Sequence, residues 1–95
     1  MTTVVINIRD PASYDLMKAG HYIYCGRGSD FGNRYQIGVD GTREEVIAKH
    51  KADVLADPEM VEKVRRELTG GVLGCFCKPK ACHCDTYVEI CDGTP

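Results

Sequence analysis

The stretch Gly70-Gly71-Val72-Leu73-Gly74-Cys75-Phe76-Cys77-Lys78-Pro79-Lys80-Ala81-Cys82-His83-Cys84-Asp85 passes through four kinds of local signal in sixteen residues. The glycine pair stops a preceding helix. Val72 to Cys77 is apolar, too short for a helix, and predicts a strand. Pro79 forces a loop. From Cys82 to Ile90 the spacing is helical, with Cys84, Val88 and Cys91 along one stripe.

Working outward, Val4-Val5-Ile6-Asn7-Ile8 is a β-branched run closed by Arg9-Asp10-Pro11, which predicts a buried first strand. Tyr22 to Cys25 predicts a second, left through the glycine-spaced loop Gly26 to Asn33. Thr42 and Glu45 have capping-box spacing and open a helix of about Arg43 to Ala56. Asp57-Pro58 supplies an N-cap and a first helical residue for another, whose Met60, Val61, Val64 and Leu68 share one face. The expected order is β-β-α-α-β-α: an α/β protein with a small sheet flanked by helices. Both the glycine loop and the cysteine segment then leave the C-terminal ends of strands, where ligands usually bind in open α/β sheets.

At 95 residues, 43% hydrophobic, the chain suits one domain spanning 1–95. A net charge of -2 and a pI near 5.9 argue against a general DNA-binding surface. No apolar run approaches the roughly 20 residues of a membrane span, and no charged leader precedes an apolar run at the N-terminus. A cytoplasmic protein without membrane contact is expected. In that reducing compartment the six cysteines stay free, for metal or for packing.

Two residues apart on a strand, Cys75 and Cys77 would project from one face, and Cys82 and His83 could close a zinc shell of three sulfurs and one nitrogen. Packing as small hydrophobes is the alternative, and the preferred one for Cys84 and Cys91. Cys82 near a helix N-terminus could also be a nucleophile, with His83 or Asp85 moving protons, although adjacent side chains diverge on a helix. An iron-sulfur cluster from Cys75, Cys77, Cys82 and Cys84 matches no common spacing.

The loop offers the backbone amides of Gly26 to Ser29 with the Arg27 guanidinium and the Ser29 hydroxyl, a set suited to phosphate or carboxylate. It lacks the Walker and dinucleotide patterns, and a tight turn explains the glycines equally well. Asn33 could bond a base or cap the turn, and Tyr35 is the stacking candidate. His21 and His50 carry no such signal. The basic strip Lys63, Arg65 and Arg66 is a weak phosphate candidate among solvated helix faces.

Taken together, Tyr24, Gly26, Arg27, Gly28, Ser29, Phe31, Gly32 and Asn33, followed by Gly74, Cys75, Cys77, Pro79, Cys82, His83 and Asp85, resemble the paired motifs of a family of small phage and bacterial proteins defined as a domain of unknown function. The likeness spans nearly the whole chain. It implies that Cys75, Cys77, Cys82 and His83 are the functional set, and it implies a phage-type origin. Arg34 stands where that pattern has proline, and Cys84 where it has glycine, which leaves Cys84 outside the implied ligands.

Three functions fit these residues. The first is a module binding a nucleotide or other phosphorylated small molecule through Gly26, Arg27, Gly28, Ser29 and Asn33, beside a zinc-holding Cys75, Cys77, Cys82 and His83. The second is an enzyme acting on a nucleotide or nucleic-acid base through zinc-bound water or Cys82. A deaminase is disfavoured, since its His-x-Glu and Pro-Cys-x-x-Cys spacing is absent. The third is a non-enzymatic protein binding a host protein.

Overall fold

Val72–Cys75, the third strand (β3), is buried at every position because it lies in the middle of the sheet. Strand β1, Val4–Asn7, pairs with one edge of it and strand β2, Tyr22–Tyr24, with the other, both parallel. Val72 stands opposite Val4 and Tyr22, and Gly74 opposite Ile6 and Tyr24. A parallel strand covered on both faces needs a continuous apolar run, which Val72-Leu73-Gly74-Cys75 supplies. Gly74 is the position with no room: an added Cβ would stand 2.6 Å from Ile8 Cγ2 and 2.6 Å from Tyr22 Cε1.

A computed structural model describes residues 2–78 and 80–93, so Pro79, where the sequence predicts a loop, lies outside the described residues. The fold is α/β, a three-stranded sheet with helices α1 (Tyr14–Ala19), α2 (Arg43–Leu55), α3 (Pro58–Leu68) and α4 (Cys84–Asp92). The expected element order holds, with one addition. Helix α1 follows a 3-10 turn at Pro11–Ser13 that Asp10 caps, and none of its residues is buried. A helix with no core face leaves no apolar periodicity to read. Among the described residues no helix is long and apolar enough to cross a membrane.

The helix starts follow their local chemistry. Thr42 Oγ1 accepts from the Glu45 amide at 3.2 Å while Glu45 Oε1 accepts from the Thr42 amide at 3.0 Å, a complete capping box. Asp57 accepts from the Met60 amide, with Pro58 at the first helical position. These caps orient α2 and α3, which pack on each other, while α4 packs on α3 and β1. The fully buried side chains, Leu68, Val64, Leu73, Tyr87 and four cysteines, come from β3, its neighbour loop and these helices. Each apolar side chain so buried contributes about 1.5–3 kcal/mol.

Of the boundaries that differ from the sequence expectation, two bear on the cysteines. The strand ends at Cys75 because Asn7 Nδ2, at the end of β1, bonds the Lys78 carbonyl at 2.8 Å and draws the chain away. Cys77 therefore lies in a loop and does not share a strand face with Cys75. Helix α4 begins at Cys84 because the Asp85 carboxylate accepts from the Cys82 amide at 3.2 Å, which leaves Cys82 in the preceding turn.

Gly74→Ala is expected to destabilise the protein by ~1–3 kcal/mol through overpacking against the Tyr22 ring and Ile8. Thr42→Ala should cost about 1 kcal/mol through loss of the cap. Chemical denaturation measures both, and an unchanged midpoint for Gly74→Ala would mean that the Tyr22 ring moves aside freely.

Candidate functional site

Because β2 and β3 are parallel neighbours, the loops that leave them emerge at the same edge of the sheet. They meet there. A cleft of about 300 Å³ is lined by Gly26, Arg27 and Asn33 from the first loop and by Phe76, Cys77, Ala81, Cys82 and His83 from the second. Tyr35 and Ile37, with Arg43, Val46 and Ile47 of α2, complete it.

The glycine loop is mostly self-supporting. Ser29 spends both its hydroxyl, at 2.6 Å, and its amide, at 3.2 Å, on the Gly26 carbonyl. Gly28 takes φ +87°, the left-handed turn conformation that glycine adopts without strain, and neither Gly28 nor Ser29 lines the cleft. Asn33 donates to the Val46 carbonyl at 3.1 Å and accepts from the Tyr35 amide at 2.9 Å, so its side chain pins the loop to α2. Arg27 is different. It is exposed at the cleft, and among the described residues its guanidinium has no partner, nor do the amides of Gly26 and Arg27. Arg43, across the cleft, donates to the Ala81 carbonyl at 3.1 Å.

On the cysteine side, His83 is buried and its Nε2 lies 2.8 Å from the Cys25 carbonyl and 3.0 Å from that of Phe31. Carbonyls only accept, so Nε2 carries the hydrogen and the Nδ1 lone pair faces Cys82 Sγ at 3.6 Å. The two adjacent side chains thus converge, contrary to the divergence expected on a helix, because Cys82 sits in the turn before α4. Asp85 is committed elsewhere: it bonds Lys78 Nζ at 2.9 Å as well as the Cys82 amide.

Beneath the cleft the sulfurs of Cys75, Cys82 and Cys84 lie within 4.8 Å of one another, all buried, and this group can hold a metal ion. Cys77 is half-buried on the cleft wall and outside that group. Hydrogen bonding with Cys82 first, then with Cys84, shifts the Cys75 thiol far below its usual range, and the same partnership with Cys75 pushes Cys82 up to about 12. Hydrogen bonding with Cys25 first, then with Cys75 and Cys82, raises Cys84.

His50 is a residue the sequence left without a role. It is 6% exposed, packs edge-on against His83 at 5.1 Å between ring centroids, and its Nε2 lies 3.0 Å from Tyr87 Oη. Since that hydroxyl donates to the Phe31 carbonyl at 2.8 Å, His50 Nε2 donates to it in turn. Among the described residues His50 Nδ1 has no partner. The available signal was its position between Val46 and Val54, four residues from each, on the buried stripe of α2.

The family model described as Domain of unknown function (DUF4326) matches residues 9–93. The chain belongs to the DUF4326 family. It is 38% identical over 68 residues to the "Uncharacterized 12.4 kDa protein in nrdA-td intergenic region" of Enterobacteria phage T4, a match covering 67% of this chain and 61% of that relative. No solved structure matches it. The DUF4326 match runs from the end of β1 through α4 and so takes in both walls of the cleft.

Burial, with a smaller contribution from His83, lowers the His50 pKa from 6.5 to about 4. The native state therefore disfavours protonation, so the stability from neutral His50 is complete above pH 6.5 and is lost as pH falls toward 4. Melting temperature should drop across that window and drop less in His50→Gln; equal slopes for both proteins would show that other groups control the transition.

Proposed function

We propose that the cleft binds a phosphorylated small molecule of the nucleotide class. The observation that supports it best is the pairing of cationic and apolar surface in one cavity: the Arg27 guanidinium and the amides of Gly26 and Arg27, without partners among the described residues, and Tyr35, Ile37, Val46, Ile47 and Phe76 along the walls. The guanidinium and amides suit a phosphate, and the apolar walls suit a planar base. Tyr35 is preset for this by its hydroxyl, which donates to Asp53 at 2.6 Å. Of the loop residues, Arg27 contacts the anion, while Gly28, Ser29 and Asn33 shape the loop that presents it.

A second reading is an enzyme acting on a nucleotide or base, with Cys82 as nucleophile or with a zinc-bound water. The contact of 3.6 Å between Cys82 Sγ and His83 Nδ1 favours Cys82, with His83 as the proton acceptor oriented by two carbonyls. The raised Cys82 pKa means that the thiol must give up its proton on attack. Binding without turnover is the better-supported role, because the sulfur is fully buried at the floor.

Titration calorimetry with a panel of nucleoside mono-, di- and triphosphates and the matching nucleosides tests both readings, with chromatography of the incubated mixtures to detect turnover. Binding should require the phosphate and weaken about tenfold or more in Arg27→Ala, the loss of a charge-assisted hydrogen bond of ~1.5–3 kcal/mol. Equal affinity for nucleosides, or an Arg27→Ala protein that binds as well as the parent, would overturn the assignment.

A further inference from the structure

We propose that Cys75, Cys82 and Cys84, with Nδ1 of His83, bind one zinc ion in a closed structural site beneath the cleft, and that Cys77 stays outside it. The inference stands apart from the nucleotide reading, since none of its evidence involves Arg27 or the apolar walls.

Three thiol groups arrive from the end of β3, the turn before α4 and the first residue of α4, and their sulfurs already lie within 4.8 Å of one another. In a tetrahedral zinc site with sulfur bonds of about 2.3 Å, ligand sulfurs sit about 3.8 Å apart, so a small contraction suffices. The fourth donor is present too. Zinc-bound imidazoles usually give their other N–H to a carbonyl or carboxylate, which fixes the tautomer. His83 Nε2 does so twice, toward Cys25 and Phe31, leaving the Nδ1 lone pair 3.6 Å from Cys82 Sγ, a separation suited to two ligands of one ion.

The imidazole is near Cys82 and Cys84, with Nε2 3.8 Å from Cys84 Sγ, but not within 4.8 Å of all three sulfurs. Closing the shell therefore requires the ring and the sulfurs to draw together. Packing of cysteines as small hydrophobes accounts for their burial but not for an imidazole lone pair held toward Cys82 Sγ. The donors are soft thiolates with one imidazole, which select zinc over magnesium or calcium. Four protein ligands leave no position for water, so the ion holds α4 to the sheet and supplies no hydroxide.

Untagged protein grown with zinc and purified under reductant should contain about one zinc per chain. Its zinc-edge X-ray absorption should fit three sulfurs and one nitrogen. Cys77→Ser should keep the full complement of metal and the parent melting temperature, whereas Cys84→Ser should lose zinc. Should Cys84→Ser fail to fold, the parent spectrum and the Cys77→Ser variant still decide. A metal-free parent that takes up no added zinc would overturn the site. A four-sulfur shell would replace His83 with a further cysteine, an oxygen ligand would mean an open site, and zinc loss in Cys77→Ser would restore that residue to the shell; each contradicts the assignment. Arg27→Ala should retain zinc, which separates this result from the fate of the nucleotide reading.

Discussion

The hydrogen bonds from His83 Nε2 to the carbonyls of Cys25 and Phe31 hold the candidate site together. They join the start of α4 to both ends of the glycine loop, segments more than fifty positions apart in the chain. Tyr87 reinforces the junction by donating to the same Phe31 carbonyl, and His50 donates to Tyr87 from α2. The loop from β2, helix α2 and helix α4 thus converge on one buried polar network. Inside a low-dielectric core such bonds are strong when satisfied and costly when broken. Much of the cleft geometry follows from them.

The network also orients chemistry. Because both Nε2 partners are carbonyls, the imidazole has one neutral tautomer available, and its lone pair faces Cys82 Sγ. A histidine exposed to solvent would have no such constraint. The same constraint serves a zinc ligand and a proton acceptor for Cys82, so metal content separates a structural role for the pair from a chemical one. The buried thiols of Cys75, Cys82 and Cys84 lie under the floor, while the cationic surface of Arg27 and Arg43 lies at the cleft. Sulfur and cationic chemistry are thus separated by depth within one site.

Much of the architecture was legible because it rests on local rules. The capping box at Thr42 and Glu45, the Asp57-Pro58 start and the apolar run of β3 each state their structure within a few residues, and each appears in the fold. Helix α1 was not legible, since it buries nothing and so shows no pattern. His50 was overlooked because a histidine on a helix face gives no sign of its burial until Tyr87 and His83 are packed against it. The cysteine run announced sulfur chemistry, but which sulfurs meet depended on where β3 stops and α4 begins. Those limits are set by Asn7 and Asp85, through contacts 71 and three residues away in sequence.

Sequence alone was enough to determine most of the elements, the α/β class and the two loops that carry polar and sulfur chemistry, because periodicity, caps and glycine placement act over short distances. Only the tertiary structure decided that the two loops share one cleft, that Cys84 joins Cys75 and Cys82 while Cys77 lines the cleft, and that His83 presents Nδ1 to Cys82. Those outcomes follow from strand order and from hydrogen bonds between residues far apart in the chain, and no local pattern records which distant carbonyl a side chain will meet.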